Sequence, residues 1–190
     1  MALDTSLHTP RLALHPWHPA HLLALIDHPV TFESATALRA ADGLRAFFVS
    51  GDTAPDWLPA LRRSTAPDPW RHGFAVVDPR TSRVIGSAGF TGPPDTDGTV
   101  EIGYGIVPSE QGRGYATEVA RALVAFAAAD GRVRLVRAHT LPARNASTRV
   151  LEKCGFRHIG TIVDPHDGPV WRWERGVEDS ADRAADATSG

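Results

Sequence analysis

Between an apolar run and an alanine-rich helical run lies the stretch PSEQGRGYATE, Pro108 to Glu118. Gln111 precedes two glycines, Gly112 and Gly114, that flank Arg113, and Tyr115, Ala116 and Thr117 lead into the helix. Glycine admits backbone angles and a close ligand approach that other residues do not. The first turn of a helix holds N–H groups without internal partners, under the positive end of its dipole. Together they suit an anion, most often a phosphate. Two nucleotide patterns fail on spacing. A Walker A loop needs a lysine and a hydroxyl after its second glycine. A dinucleotide fingerprint needs a small residue where Thr117 stands, and an acid ending the next strand, where RLVRAHT has none.

The elements that must position this turn can be read from periodicity. TVEIGYGIV before it is a strand interrupted by Gly103 and Gly105, glycines that mark a bulge or a close backbone approach. In YATEVARALVAFAAAD after it, Tyr115, Val119, Leu123 and Ala127 recur every fourth residue, as one buried helical face requires. RLALHPW (Arg11–Trp17), GFAVVD and RVIGSAGF read as strands, the last two joined by the turn PRTS. RVRLVRAHTL is a further strand, and NASTRVLEKCG is a helix capped by Asn145 and stopped at Gly155. FRHIGTIVD and PVWRWERG close the set as antiparallel strands. HLLALI, AADGLRAFF and DWLPALRR are helical patches in a region that Pro and Gly punctuate heavily. Residues 1–176 form the expected domain. Residues 177–190 are small and polar, and a disordered tail is expected there.

The pattern Gln111-x-x-Gly114-x-Ala116 between a glycine-bearing strand and a helix, with VEIGYGIVPSEQGRGYATEVARALVAFA around it and NASTRVLEKCGF downstream, resembles the GNAT-family N-acetyltransferases. It is most similar to the branch with the ribosomal-protein N-terminal acetyltransferases. The resemblance spans TPRLALHPW through WRWERG. It implies an α/β GNAT fold: a mixed, mostly antiparallel sheet with a central splay between two strands and helices on both faces. It implies transfer of an acetyl group from acetyl-CoA to a primary amine in one ternary complex. In that family the backbone from Gln111 to Thr117 binds the pyrophosphate. The pantetheine arm adds as a strand to the exposed edge at Ile106 and Val107, and Asn145 touches the same arm. The resemblance leaves Arg113 open between a phosphate contact and a solvated side chain.

Acetyl transfer from a thioester needs a neutral amine, a stabilised oxyanion and a proton for the departing thiolate. An alkyl amine with a pKa near ~10.4 is about three units too protonated at neutral pH, a cost of roughly 4 kcal/mol. Glu101 opens the strand leading to the cofactor site and can take a proton through water, and relatives often carry a glutamate there. Backbone N–H groups at Ile106 or Val107 are the candidate oxyanion donors. Many relatives protonate the thiolate with a tyrosine on the last helix, and NASTRVLEKCGF contains none. In the branch resembled, a serine two residues after the asparagine takes that place. It is Ser147 here, whose other reading is a helix cap. Cys154 has no activating neighbour and reads as a buried thiol. Among the nine histidines, none has metal-site spacing, and only His139 ends a strand facing the cofactor.

Composition bounds the rest. At 190 residues, 42% hydrophobic and 22% charged, the chain is an ordinary globular sequence. A net charge of −2 gives no case for nucleic acid or an anionic membrane. The expected partner is an amine, either a small molecule or a peptide N-terminus. One cysteine excludes an intrachain disulfide and a cysteine-rich metal site. No signal peptide or membrane-length apolar run is evident, so a cytoplasmic setting is expected, as monomer or homodimer. The alternatives are a non-catalytic CoA-binding relative and a transferase for a longer acyl group.

Overall fold

The computed structural model of the chain describes residues 5–50, 56–165 and 168–177. Among them, nine strands form one sheet in the order β1-β2-β4-β5-β6-β7-β9-β8, with β3 paired to β5 off that path. They are β1 (Leu7–His8), β2 (Ala13–Pro16), β3 (Arg39–Ala40), β4 (Phe74–Asp78), β5 (Arg83–Phe90), β6 (Thr99–Ile106), β7 (Leu135–Thr140), β8 (Arg157–Asp164) and β9 (Gly168–Gly176). Neighbours are antiparallel except β3 with β5 and β6 with β7. This is the mixed, mostly antiparallel α/β sheet expected. The expected tail lies, from residue 178 on, outside the described residues.

The helices are α1 (Pro19–Asp27), α2 (Pro29–Thr36), α3 (Ala46–Val49), α4 (Trp57–Arg63), α5 (Pro69–His72), α6 (Tyr115–Ala129) and α7 (Ala146–Lys153). Helices cover both faces for a reason visible in strand parity. On one face Phe126 of α6 meets Phe74 of β4 and Phe90 of β5, with ring centroids 5.4 and 5.7 Å apart. That face also carries Val100, Ile102 and Ile106 of β6, all buried. On the other face Trp17 donates its indole N–H to Ser87 Oγ at 3.1 Å. Trp17 also packs against Phe32 of α2 and Phe48 of α3.

α6 forms as its period predicted. Tyr115, Val119, Leu123 and Ala127 are buried with Ala120 and Val124, and the helix ends where Asp130 turns to extended backbone. α7 also starts and stops as read: Asn145 caps it, and Gly155 at φ +81° lets Phe156 N–H reach Leu151 O at 3.0 Å. The patch AADGLRAFF is helical only from Ala46, because Gly43 at φ +86° sits in a turn. The short strands β1 and β3 and the helices α2 and α5 escaped the sequence reading. Two-residue strands have no period to detect, and α5 is one turn held by Asp68, whose carboxylate accepts from Trp70 N–H at 2.9 Å.

Candidate active site

β6 and β7 pair in parallel at Thr99↔Leu135, Val100↔Val136 and Glu101↔Arg137 only. Both strands then continue, β6 to Ile106 and β7 to Thr140, without pairing to each other. A gap therefore opens directly after Glu101. On its other edge β6 stays in unbroken register with β5, from Phe90↔Ile102 to Gly86↔Ile106. The bulge reading of Gly103 and Gly105 is thus corrected: neither glycine breaks the register. A Cβ at Gly103 would meet nothing within 4 Å, whereas one at Gly105 would press on the Phe47 ring at 3.2 Å.

Backbone alternation decides which groups face the gap. Thr91 N–H bonds Glu101 O at 3.0 Å, and Val107 N–H bonds Ile85 O at 2.9 Å. Odd residues of β6 thus turn their backbone groups to β5, and Ile102, Tyr104 and Ile106 turn theirs to the gap. This corrects one expectation: the Val107 N–H is committed to the sheet and is not an oxyanion donor. The Ile106 N–H is the one of the two on the open edge.

Past the gap, a 3₁₀ turn (Pro108–Glu110) leads into the glycine loop. The Gln111 side-chain amide donates to Ile106 O at 2.8 Å, so Gln111 ties the loop back to the strand end. Gly112 and Gly114 have φ of +75° and +80°, and Gly114 is the N-cap of α6. No side chain caps α6, so its first N–H groups, in the turn of Tyr115, Ala116 and Thr117, have no side-chain acceptor from the cap. A Cβ on Gly112 would meet nothing and one on Gly114 only Arg11 Nη2 at 3.5 Å, so the left-handed angle, not crowding, demands glycine there. Arg113 stays exposed to solvent, its side chain 55% accessible, while its guanidinium pairs with Glu110 at 2.9 Å.

A clamp across this loop was missed by the sequence reading. Arg11 donates through Nη1 to Arg113 O and through Nε to Glu118 Oε2, each at 2.9 Å. Its guanidinium lies 4.6 Å from the Tyr115 ring centre. Glu118 also accepts from Thr9 Oγ1 at 2.5 Å and from Arg11 N–H at 2.9 Å. Burial alone would raise the Glu118 carboxyl, but the Thr9 and Arg11 donors outweigh it and hold it low. Nothing local signals a partner 107 residues away.

Glu101 and His139 lie on one face, across the start of the gap, with Glu101 Oε1 and His139 Nδ1 2.9 Å apart. His139 Nε2 is buried and has no hydrogen-bond partner among the described residues. Arg137 on the same face bonds Glu174 at 2.9–3.0 Å. The same face of β5 and β6 lines a pocket of about 530 Å³ through Ser87, Gly89, Gly103 and Gly105, beneath Phe47, Phe48 and Trp57. Trp57 belongs to this wall. Trp17 and Phe32 are core residues, 3% and 1% exposed.

At the far end of β7, Asn145 Oδ1 accepts from Thr148 N–H at 3.0 Å, and Thr148 Oγ1 accepts from Asn145 N–H at 3.1 Å. This reciprocal box does the capping. Ser147, exposed between them, takes no part, so the cap reading of Ser147 is corrected. Asn145 keeps its amide NH₂ to offer a ligand. Cys154 is buried, its S–H lying 3.6 Å from Thr117 O, and burial pushes the thiol up, as an inert thiol requires.

The family profile described as "Acetyltransferase (GNAT) domain" matches residues 11–157. The chain is 32% identical over 83 residues to Uncharacterized N-acetyltransferase YjdG of Bacillus subtilis (strain 168), covering 44% of this chain and 49% of that protein. It therefore spans about half the length of that relative. Two solved structures share the fold. A GNAT-family acetyltransferase from Bacillus anthracis has a TM-score of 0.62 at 18% identity, over 92% of this chain and 99% of that one. RimL, a ribosomal L7/L12 alpha-N-protein acetyltransferase solved with coenzyme A, has 0.61 at 17%, over 90% and 97%. With the widening gap, the glycine loop and the profile match in agreement, the chain belongs to the GNAT acetyltransferase family.

Proposed function

We propose that the chain transfers an acetyl group from acetyl-CoA to a primary amine by direct attack in a ternary complex. The observation that carries this reading is the gap opening after Glu101, with the uncapped, glycine-bounded start of α6 at its end. The residues present fit the cofactor. Left-handed Gly112 and Gly114 leave room for an anion against the N–H groups of Tyr115, Ala116 and Thr117. The open edge of β6 at Tyr104 and Ile106 and the amide of Asn145 suit an extended amide-bearing arm.

Acetyl-CoA supplies an activated acyl group, and the remaining work falls to the chain. The Ile106 N–H, on the open edge of β6, stabilises a developing oxyanion. The Glu101 side of the gap, on the sheet face whose Gly103 and Gly105 line the 530 Å³ pocket, takes the proton of the amine. Ser147, exposed at the start of α7 and free of capping duty, returns a proton to the sulfur. RimL acts, by its name, on the α-amino group of a ribosomal protein. A protein N-terminus is one acceptor class for this chain and a small amine the other. On composition, the proposed setting is the cytoplasm. An acceptor screen with acetyl-CoA, read by free-thiol release, tests the proposal. Amine-dependent thiol release is expected; acetyl-CoA binding with no turnover on any amine would reassign the chain as a CoA-binding relative.

A further inference from the structure

The Glu101–His139 contact carries more than one carboxylate's worth of chemistry. Glu101 occupies the last paired position of β6, and His139 follows two residues beyond that point on β7. Their 2.9 Å contact uses Nδ1 and leaves Nε2 buried without a partner among the described residues. Buried polar atoms are nearly always bonded, and an exception asks for a reason. An ionised carboxylate only accepts, so Nδ1 must carry the hydrogen. That assignment makes Nε2 of a neutral ring a lone-pair acceptor, held in place and shielded from water. His139 is 18% exposed and Glu101 31%, so the ring is the more enclosed of the two.

We propose that His139 Nε2 is the atom that receives the amine proton, and that Glu101 is its positioning residue. This deepens the acetyltransferase reading and rests on it. As the amine nitrogen bonds to the acetyl carbon, Nε2 accepts one of its protons. The carbon–sulfur bond breaks with its electron pair going to sulfur. The imidazolium then gives its proton to that thiolate, through Ser147 or water, and the neutral ring is restored. Amine and thioester become amide and thiol, with no other reactant needed. The arrangement matches the general logic of a base oriented by a third group through its other ring nitrogen. The charged groups around the ring are Glu101 from β6, Arg137 from β7, and Arg172 and Glu174 from β9. Arg172 stands in register with His139, and its Nε is also buried without a partner among the described residues. Arg137 is neutralised by Glu174, which leaves Glu101 and Arg172 as the opposing influences on the ring.

Two measurements test this on the full chain. The first is the ¹⁵N imidazole spectrum at pH 8, with the His139 signal assigned by its loss in His139→Asn. Hydrogen on Nδ1 and a bare Nε2 are expected, with that preference lost in Glu101→Gln; hydrogen on Nε2 in the unaltered chain overturns the proposal. This arm needs no acceptor, so it decides the proton's place even if the acetyltransferase reading fails. The second is the pH–rate profile with acetyl-CoA and two probe amines, a seryl-alanyl peptide amide and spermidine. His139→Asn keeps a donor for Glu101 but cannot take a proton, so kcat should fall by roughly a hundredfold or more. KM for acetyl-CoA should hold, and the acid limb should disappear. Glu101→Gln removes the positioning partner but not the ring, so kcat should fall less than in His139→Asn. A larger loss of kcat in Glu101→Gln than in His139→Asn would overturn the proposal and return the base role to the carboxylate.

Discussion

Replacing Ser147 with alanine separates chemistry from folding in this protein, because the cap of α7 is built from its neighbours. Asn145 and Thr148 exchange two hydrogen bonds, at 3.0 and 3.1 Å, and Thr148 is 1% exposed, while Ser147 is exposed and outside the box. Loss of a helix cap typically costs about 1 kcal/mol. In a chain of 190 residues that is a fall of roughly 2–4 °C in Tm. Ser147→Ala loses no cap bond, and alanine is the better helix former, so its stability should stay within about 0.5 kcal/mol of the original. The rate should respond differently. A coenzyme A thiol near the ordinary cysteine pKa of ~8.5 leaves tolerably without a proton. The loss of an acid should therefore slow the chemical step by roughly tenfold to a hundredfold, the low end of general-acid contributions. Asn145→Ala is the control, expected to lose the 2–4 °C that Ser147→Ala keeps. Single-turnover rates beside thermal melts read both quantities. A Ser147→Ala protein with an unchanged chemical step leaves the acid role to water. One that melts as early as Asn145→Ala refutes the capping argument.

Gly114→Asp should abolish acetyl-CoA binding by calorimetry while the chain stays folded, because the exposed loop gains a like charge at a position that also demands φ +80°; unchanged affinity sinks the phosphate assignment. Glu118 is held low in the folded chain by Thr9 and Arg11, so the unfolded chain binds its proton more readily. Its contribution is complete above the unfolded carboxylate value and is lost as pH falls through the folded one. Acid titration of stability should accordingly be flatter in Glu118→Gln, and an identical acid limb would count against the clamp. Tyr104 carries a buried hydroxyl without a partner among the described residues, and burial pushes its ionisation far up. Removing such a group in Tyr104→Phe should leave Tm equal or higher, and a fall of several degrees would reveal an unrecognised partner.

Local patterns made much of this protein legible in its linear sequence. The four-residue recurrence in Tyr115, Val119, Leu123 and Ala127 predicts α6 because a helix turns every 3.6 residues and these side chains share one buried face. Gly112 and Gly114 mark the loop because few other residues hold φ near +80°. Asn145 and Gly155 bracket α7 by chemistry that acts within a few residues. Contacts between distant segments were set by tertiary structure alone. The Arg11–Glu118 clamp, the Glu101–His139 pair and the burial of Trp17 and Phe32 in the core depend on which strands become neighbours. The gap between β6 and β7 belongs with them. Which backbone groups face it follows from the register with β5, which commits Val107 N–H to Ile85 and leaves Ile106 on the open edge. A strand's own residues define its two faces, but only its partner decides which of its hydrogen-bonding edges is left open to a ligand.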